Sequence, residues 1–372
     1  MGGGTRVISI YAQQLKRRGH IVRVISPPHP SVPLRRKLKA KLLGRDIPEG
    51  PREFSSHFDQ VEMEHHVLER FRPVREEDVP DSDVVIATWW ETAEWVNSLS
   101  PQKGAKVYFI QHHEIFEHLP VARCQATYRL PMHKIVVARW LQTVMRDRYS
   151  DHKVDVVPNS VDHAQFFAGV RRKQNVPTIG VLYGSVSFKG LDVSLDAIRA
   201  VQKRISNTRI ISFGSERVKA SLPLPPGAEF TFKPDQNDLR QLYSRCDVWV
   251  TASRSEGFNL PAMEAMACRT PVVSTRAGWP EEAIKTNYNG VLVDVDDSVG
   301  LANGVEWVLM RDESEWTTLS TNAFNTVIGS SWEASADMFE TALFRACERA
   351  ARGEIAGGLF TNGLPPCPRR TV

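Results

Sequence analysis

Cysteine is scarce and scattered. The chain holds five, none in CxxC or CxH spacing, which argues against a closely spaced zinc cage and against a disulfide framework. Long apolar runs are absent: none approaches the roughly 20 residues that span a bilayer. The start, MGGGTRVISIY, lacks the apolar core of a secretory signal. Charge of one sign is lacking too, since the net charge is only +4, too small to point to nucleic acid by itself. These absences lead to the expectation of a cytoplasmic protein. What is present is ordinary: 42% hydrophobic and 24% charged residues, which argues against a disordered or fibrous chain. A length of 372 residues fits two domains.

The apolar residues fall into two series of alternating strands and helices. In the first, 5–18 has helical spacing and ends in Lys16-Arg17-Arg18, with Gly19 as a stop. Strands are expected at 21–25, 84–87, 107–110 and 135–137, and a helix at 139–149. The second series has strands at 178–182, 209–213, 247–251, 270–274 and 290–293. Its helices are expected at 193–205, 238–246, 261–267 and 299–311. The strands are β-branched and barely alternate, as in parallel sheets covered on both faces. The class is therefore α/β with two Rossmann-like domains. The expected division is 1–158, 159–334, a closing helix over 335–352 and a disordered tail over 353–372. A glycine turn normally follows a first strand in such a fold. Here Gly2-Gly3-Gly4 follow Met1 directly, so the first domain reads as lacking its first strand.

The sharpest chemical signal is Ser255-Glu256-Gly257-Phe258-Asn259-Leu260-Pro261-Ala262-Met263-Glu264. It follows an apolar strand, and Pro261 suits the first turn of a helix. Glu256 then lies on the loop and Glu264 on the helix. The amides of Gly257–Leu260 stand near the positive end of a helix dipole, a place for hydroxyls or phosphate oxygens. On spacing alone, two surface glutamates on an amphipathic helix is an equal reading.

The whole string EGFNLPAME resembles the E-x7-E motif of the retaining GT-B glycosyltransferases of family 4. Other segments follow in the same order. Residues 2–24 resemble the first loop and helix, and Pro158-Asn159-Ser160-Val161-Asp162 resembles the PNGVD link with Ser for Gly. Gly184-Ser185-Val186-Ser187-Phe188-Lys189-Gly190 resembles the phosphate segment, and Ser331-Trp332-Glu333 precedes a final helix. The resemblance covers roughly 2–350 and implies GT-B architecture, two Rossmann-like domains facing across a cleft. It implies transfer of a hexosyl or deoxyhexosyl group from a nucleotide-diphosphate sugar, with retention and without a metal or other cofactor. A saccharide or lipid-linked acceptor and a place in polysaccharide or lipopolysaccharide synthesis are the further implications.

The resemblance also implies residue roles. Glu264 accepts from ribose hydroxyls. Glu256 contacts the donor sugar beside Gly257, Phe258, Asn259 and Leu260. Lys189 holds the diphosphate, where a fixed cation stabilises the charge left by the departing group. Many members have an Arg about five residues before that Lys. This chain has Gly184 there, with Arg254 as a candidate substitute. The missing Arg keeps open a non-catalytic GT-B partner protein, and the shared fold keeps open a phosphorylase or epimerase.

Gln111-His112-His113-Glu114 follows the strand over 107–110, at the strand end where ligands bind in parallel sheets. His112 is the first choice for a catalytic contact and His113 the second, with Glu114 to orient either. Zinc binding by the adjacent histidines lacks a third ligand at telling spacing. Gly3 and Gly4 could let backbone approach a phosphate, or be no more than a flexible end. They do not make a GxGxxG, which disfavours a nicotinamide enzyme. Trp89 and Trp90 are candidates to stack on a sugar, against packing in the core. Leu34–Arg45, LRRKLKAKLLGR, would be a basic amphipathic face for anionic lipid at a membrane surface, or a solvated helix or loop.

Overall fold

A computed structural model describes residues 3–28, 42, 57–58 and 63–357. The basic segment over 34–45 lies outside the described residues apart from position 42, as do Gly2 and the tail from residue 358. The chain divides into two compact units. One comprises 1–109, 114–134 and 339–372, the other 110–113 and 135–338.

The first unit opens with α1 (Gly3–Arg17), which buries Val7, Tyr11 and Leu15 along one face. Lys16 and Arg17 complement the dipole at its end. Gly19, at φ +92°, donates its amide to the Lys16 carbonyl, a left-handed stop that suits glycine. Strand β1 (Arg23–Ser26) pairs in parallel with β2 (Glu64–Val67). Then come β3 (Val84–Ala87), α2 (Trp90–Ser98), β4 (Ala105–Ile110), α3 (Val121–Thr127) and β5 (His133–Val136). Within this unit β3 pairs in parallel with β4; α4 (Arg139–Tyr149) and β6 (Val154–Val156) follow in the chain and belong to the second unit. Tyr11 of α1 stacks on Phe339, 4.5 Å between ring centroids, and meets Phe109 of β4 edge-on at 5.5 Å.

The second unit is built on β7 (Thr178–Leu182), α5 (Leu191–Arg204), β8 (Arg209–Gly214), β9 (Glu229–Phe232) and α6 (Leu239–Ser244). It continues with β10 (Val248–Thr251), α7 (Leu260–Ala267), β11 (Val272–Thr275), α8 (Trp279–Ala283) and β12 (Gly290–Val293). Helices α9 (Ser298–Leu309), α10 (Glu313–Val327) and α11 (Trp332–Ala351) follow, the last running past residue 338 into the first unit. The six strands are all parallel, in the order β12-β11-β10-β7-β8-β9. The order reverses between β7 and β10, and a crevice outside the carboxyl ends of two such strands is where ligands bind in open α/β sheets.

One face of this sheet buries Ile179, Val181, Val248 and Val250 against Leu195, Ile198, Leu301 and Val305. The other face carries an aromatic group. Trp249 lies 4.6 Å from Tyr243, and Phe213 lies 5.5 Å from both. Gly180 on β7 makes room for it, since a Cβ there would stand 2.4 Å from the Trp249 ring.

Most expected elements are present with ends shifted by one to three residues. The strand expected at 21–25 runs 23–26, and that expected at 270–274 runs 272–275. Sequence reading missed β2, β6 and β9, each only three or four residues long. It also missed α2, α3, α8 and α10. The start of α10 was readable: Asp312 accepts from the Glu315 amide while the Glu315 side chain returns to the Asp312 amide, a capping box.

Candidate functional site

The loops after β7 and β10 meet at the strand-order reversal. The Arg254 amide donates to the Phe188 carbonyl at 2.8 Å, fastening one loop to the other. Gly190, at φ +59°, closes the β7 loop. A Cβ there would sit 1.9 Å from the Ala252 carbonyl oxygen, so only glycine fits.

This meeting sets Lys189 against Glu256. Lys189 Nζ donates to both carboxylate oxygens, at 2.8 and 3.0 Å, and Ser253 Oγ donates to one at 2.7 Å. The Glu256 side chain is 8% exposed and that of Lys189 32%, so the carboxylate is enclosed while the ammonium opens to solvent. Gly278, at φ +75°, lies where a Cβ would stand 2.8 Å from Glu256 Cβ. Asn259 takes the left-handed conformation at φ +83° ahead of α7, and Pro261 falls in that helix's first turn. Its side-chain amide donates to Thr251 Oγ1 at 3.1 Å. Phe258 is buried and stacks on Trp279, while Leu260 is half-buried.

Glu264 projects from α7 into the aromatic group and is buried, accepting from the Tyr243 hydroxyl at 2.8 Å. Gly257 packs backbone to backbone: a Cβ would lie 1.6 Å from the Gln111 carbonyl oxygen. That approach brings His112 beside Ser255, 3.4 Å from Nε2 to Oγ. Its other nitrogen lies 3.1 Å from the His113 carbonyl. Burial holds the His112 pKa below the usual imidazole value, outweighing Glu256, which pulls it up. His113 is buried against the Tyr149 hydroxyl at 2.7 Å, and burial brings its pKa to about 4.

Glu114, in the first unit, is 2% exposed. It accepts the Trp90 amide of α2 at 2.9 Å, and burial raises its carboxyl to about 8. Trp90 is buried with the Arg123 guanidinium over its ring, while Trp89 is half-buried. Gly3 and Gly4 form the exposed first turn of α1.

Arg254, the candidate substitute for the missing Arg, is paired with carboxylates. Its guanidinium makes a bidentate pair with Asp192 at 2.7 and 3.0 Å. It also pairs with Asp296 at 2.6 Å and donates to the Ser187 carbonyl at 2.7 Å. Residues that sequence reading missed are Ser253, Tyr243, Gly278 and Trp140, whose indole N–H donates to the Gly257 carbonyl at 2.9 Å. Ser253 adjoins the motif, three residues before Glu256, whereas Tyr243, Gly278 and Trp140 lie farther off and no local spacing marks them. Among the described residues, no group of three or more His, Cys, Asp or Glu is placed to hold a metal ion. No described helix is long and apolar enough to cross a membrane.

Two units with parallel strands define an α/β protein, and comparison with known proteins gives it the GT-B fold. A family model described as Glycosyltransferase Family 4 matches residues 1–165, and one described as Glycosyl transferases group 1 matches 174–311. The chain belongs to the group 1, family 4 glycosyltransferases. It is 30% identical over 246 residues to a D-inositol 3-phosphate glycosyltransferase of Mycobacterium bovis, covering 59% of this chain and 51% of that protein. The chain spans about half or less of the length of the curated relatives it matches. Among solved structures, sucrose-phosphate synthase from Thermosynechococcus elongatus superposes with a TM-score of 0.70 at 18% identity, over 94% of each chain. Anabaena HepE in complex with UDP-glucose gives 0.61 at 17% identity, over 89% of this chain and 99% of that one.

Proposed function

We propose that this chain transfers a hexosyl or deoxyhexosyl group from a nucleoside-diphosphate sugar to a saccharide or lipid-linked acceptor, with retention of configuration. The observation that carries the reading is the Lys189–Glu256 pair at the strand-order reversal. An enclosed carboxylate beside a solvent-facing ammonium can trade its partner for a ligand: Glu256 turns to sugar hydroxyls and Lys189 to the diphosphate. The acceptor oxygen attacks C1 from the face the phosphate leaves, the C1–O bond to phosphate breaks, and the departing oxygen takes the acceptor proton. Lys189 offsets the charge on that oxygen, so the step needs no metal. His112, kept neutral near pH 7 by burial, hydrogen-bonds a sugar hydroxyl. Glu264 receives the ribose hydroxyls in place of the Tyr243 hydroxyl. Place in polysaccharide or lipopolysaccharide synthesis, at the cytoplasmic face of a membrane, follows from the lipid-linked acceptor and belongs to the same proposal.

The test is a thermal-shift screen of UDP, GDP, ADP, CMP and dTDP, with and without their common sugars, on wild type and Glu264→Ala. Ligand binding to the folded state raises Tm by an amount set by RT ln(1 + [L]/Kd). The expected result is a shift with one nucleoside diphosphate that is lost in Glu264→Ala. A protein that melts cooperatively and responds to none of them overturns the reading.

A further inference from the structure

Beside the Lys189–Glu256 pair stands a second lysine–glutamate pair. Glu216, on the loop after β8, accepts the Ser185 amide at 2.5 Å and the Ser185 hydroxyl at 2.6 Å. Lys219 stands 3.1 Å from the same carboxylate and contacts Ser185 Oγ. Ser185 follows Gly184, where a Cβ would lie 3.7 Å from the Lys189 side chain, so the second pair adjoins the first. We propose that the Ser185 amide, the Ser185 hydroxyl and the Lys219 ammonium form an anion subsite for a phosphate group of the ligand, and that Glu216 occupies it until that phosphate arrives. That the phosphate belongs to a nucleotide-sugar donor rests on the transferase reading above; the anion chemistry does not.

The donor set fits the ligand class. A main-chain amide, a hydroxyl and an ammonium converging on one carboxylate are the groups that hold a phosphate oxygen equally well. The loop has fastenings besides that contact: the Tyr183 hydroxyl receives the Lys219 amide at 2.8 Å and donates to the Leu222 carbonyl at 3.0 Å. The Leu222 amide returns to the Lys219 carbonyl, and the Tyr183 amide donates to Phe213. Glu216 is thus an addition to a loop already held. With side-chain exposures of 30% for Glu216 and 54% for Lys219, both can turn into solvent without opening a core. Burial alone would raise the Glu216 carboxyl, but the Ser185 hydroxyl, the Ser185 amide and Lys219 hold it below its ordinary value. The occupant is therefore an anion at neutral pH, and it competes with a phosphate for the same donors.

Titration calorimetry with inorganic pyrophosphate, and separately with UDP, on wild type, Glu216→Ala and Lys219→Met tests this. Removing the internal competitor is expected to tighten pyrophosphate binding about tenfold in Glu216→Ala, and Lys219→Met to weaken it about tenfold. A gain in affinity cannot come from misfolding, and unchanged Tm in both variants completes the control. Equal or weaker pyrophosphate binding by Glu216→Ala overturns the proposal, as does no pyrophosphate binding by any of the three proteins. Responses to pyrophosphate in a protein that binds no nucleotide would sink the transferase reading and leave the subsite standing. A nucleotide that binds through Glu264 but ignores both variants would do the reverse.

Discussion

Glu256 and Glu114 are both buried carboxylates on loops at the carboxyl ends of parallel strands, and they are held in opposite ways. Glu256 meets a lysine ammonium and a serine hydroxyl. Glu114 meets the Trp90 amide and, at 3.4 Å, the Tyr108 hydroxyl, and burial raises its pKa to about 8. A charged partner beside the solvent can be exchanged for a ligand. Neutral donors leave desolvation in control, so the carboxyl takes up a proton and serves as a brace.

Breaking the first of the two has the largest expected effect. Glu256→Gln should lower the rate of sugar transfer by about 10²-fold or more. The double variant with Lys189→Met should lose little beyond either single change, because the two act as a unit. Near-wild-type kcat in Glu256→Gln would end the comparison.

Gly257→Ala comes next, since a Cβ there meets the Gln111 carbonyl oxygen at 1.6 Å. We expect about 3 kcal/mol of lost stability by denaturant titration, together with lost transfer. An unchanged midpoint would mean that the two backbones do not touch.

Glu114→Gln sharpens the comparison through pH. The folded pKa of about 8 lies above the ordinary value of 4.5. The stability this group contributes is therefore complete below pH 4.5 and lost as pH rises through 8. The Tm of Glu114→Gln should gain on wild type across that window by roughly 5 °C, and a pH-independent gap would refute the neutral-brace account. The smallest effect belongs to Asp192→Asn. It leaves Arg254 with Asp296 and Ser187 and should cost under about 1 kcal/mol in the same titration.

Legibility in the sequence tracked how local each cause is. Strands β7 and β12 were readable to the residue because TIGVL and GVLV are short runs without charged residues that barely alternate. The start of α7 was readable because Pro261 marks a first turn. Strand β9 was not, because Glu229 and Thr231 share four residues with two phenylalanines and only pairing with β8 makes them a strand. Arg254 shows the same limit in the site. Its position before Glu256 made it a candidate phosphate cation, and two aspartates distant in sequence claim it.

The two-series α/β class and the chemical kinds present, Glu256, Glu264, Lys189 and His112 on loops and a helix, were written in residue order. Periodicity and residue type carry that information within a few neighbouring positions. Which of these groups touch was decided by the tertiary structure alone. The pairing of Lys189 with Glu256, the Tyr243 hydroxyl on Glu264 and the Glu216 carboxylate on the Ser185 amide depend on strand order. Parallel β7, β8 and β10 line up their carboxyl ends side by side, and charges far apart in the chain then fall within hydrogen-bonding distance.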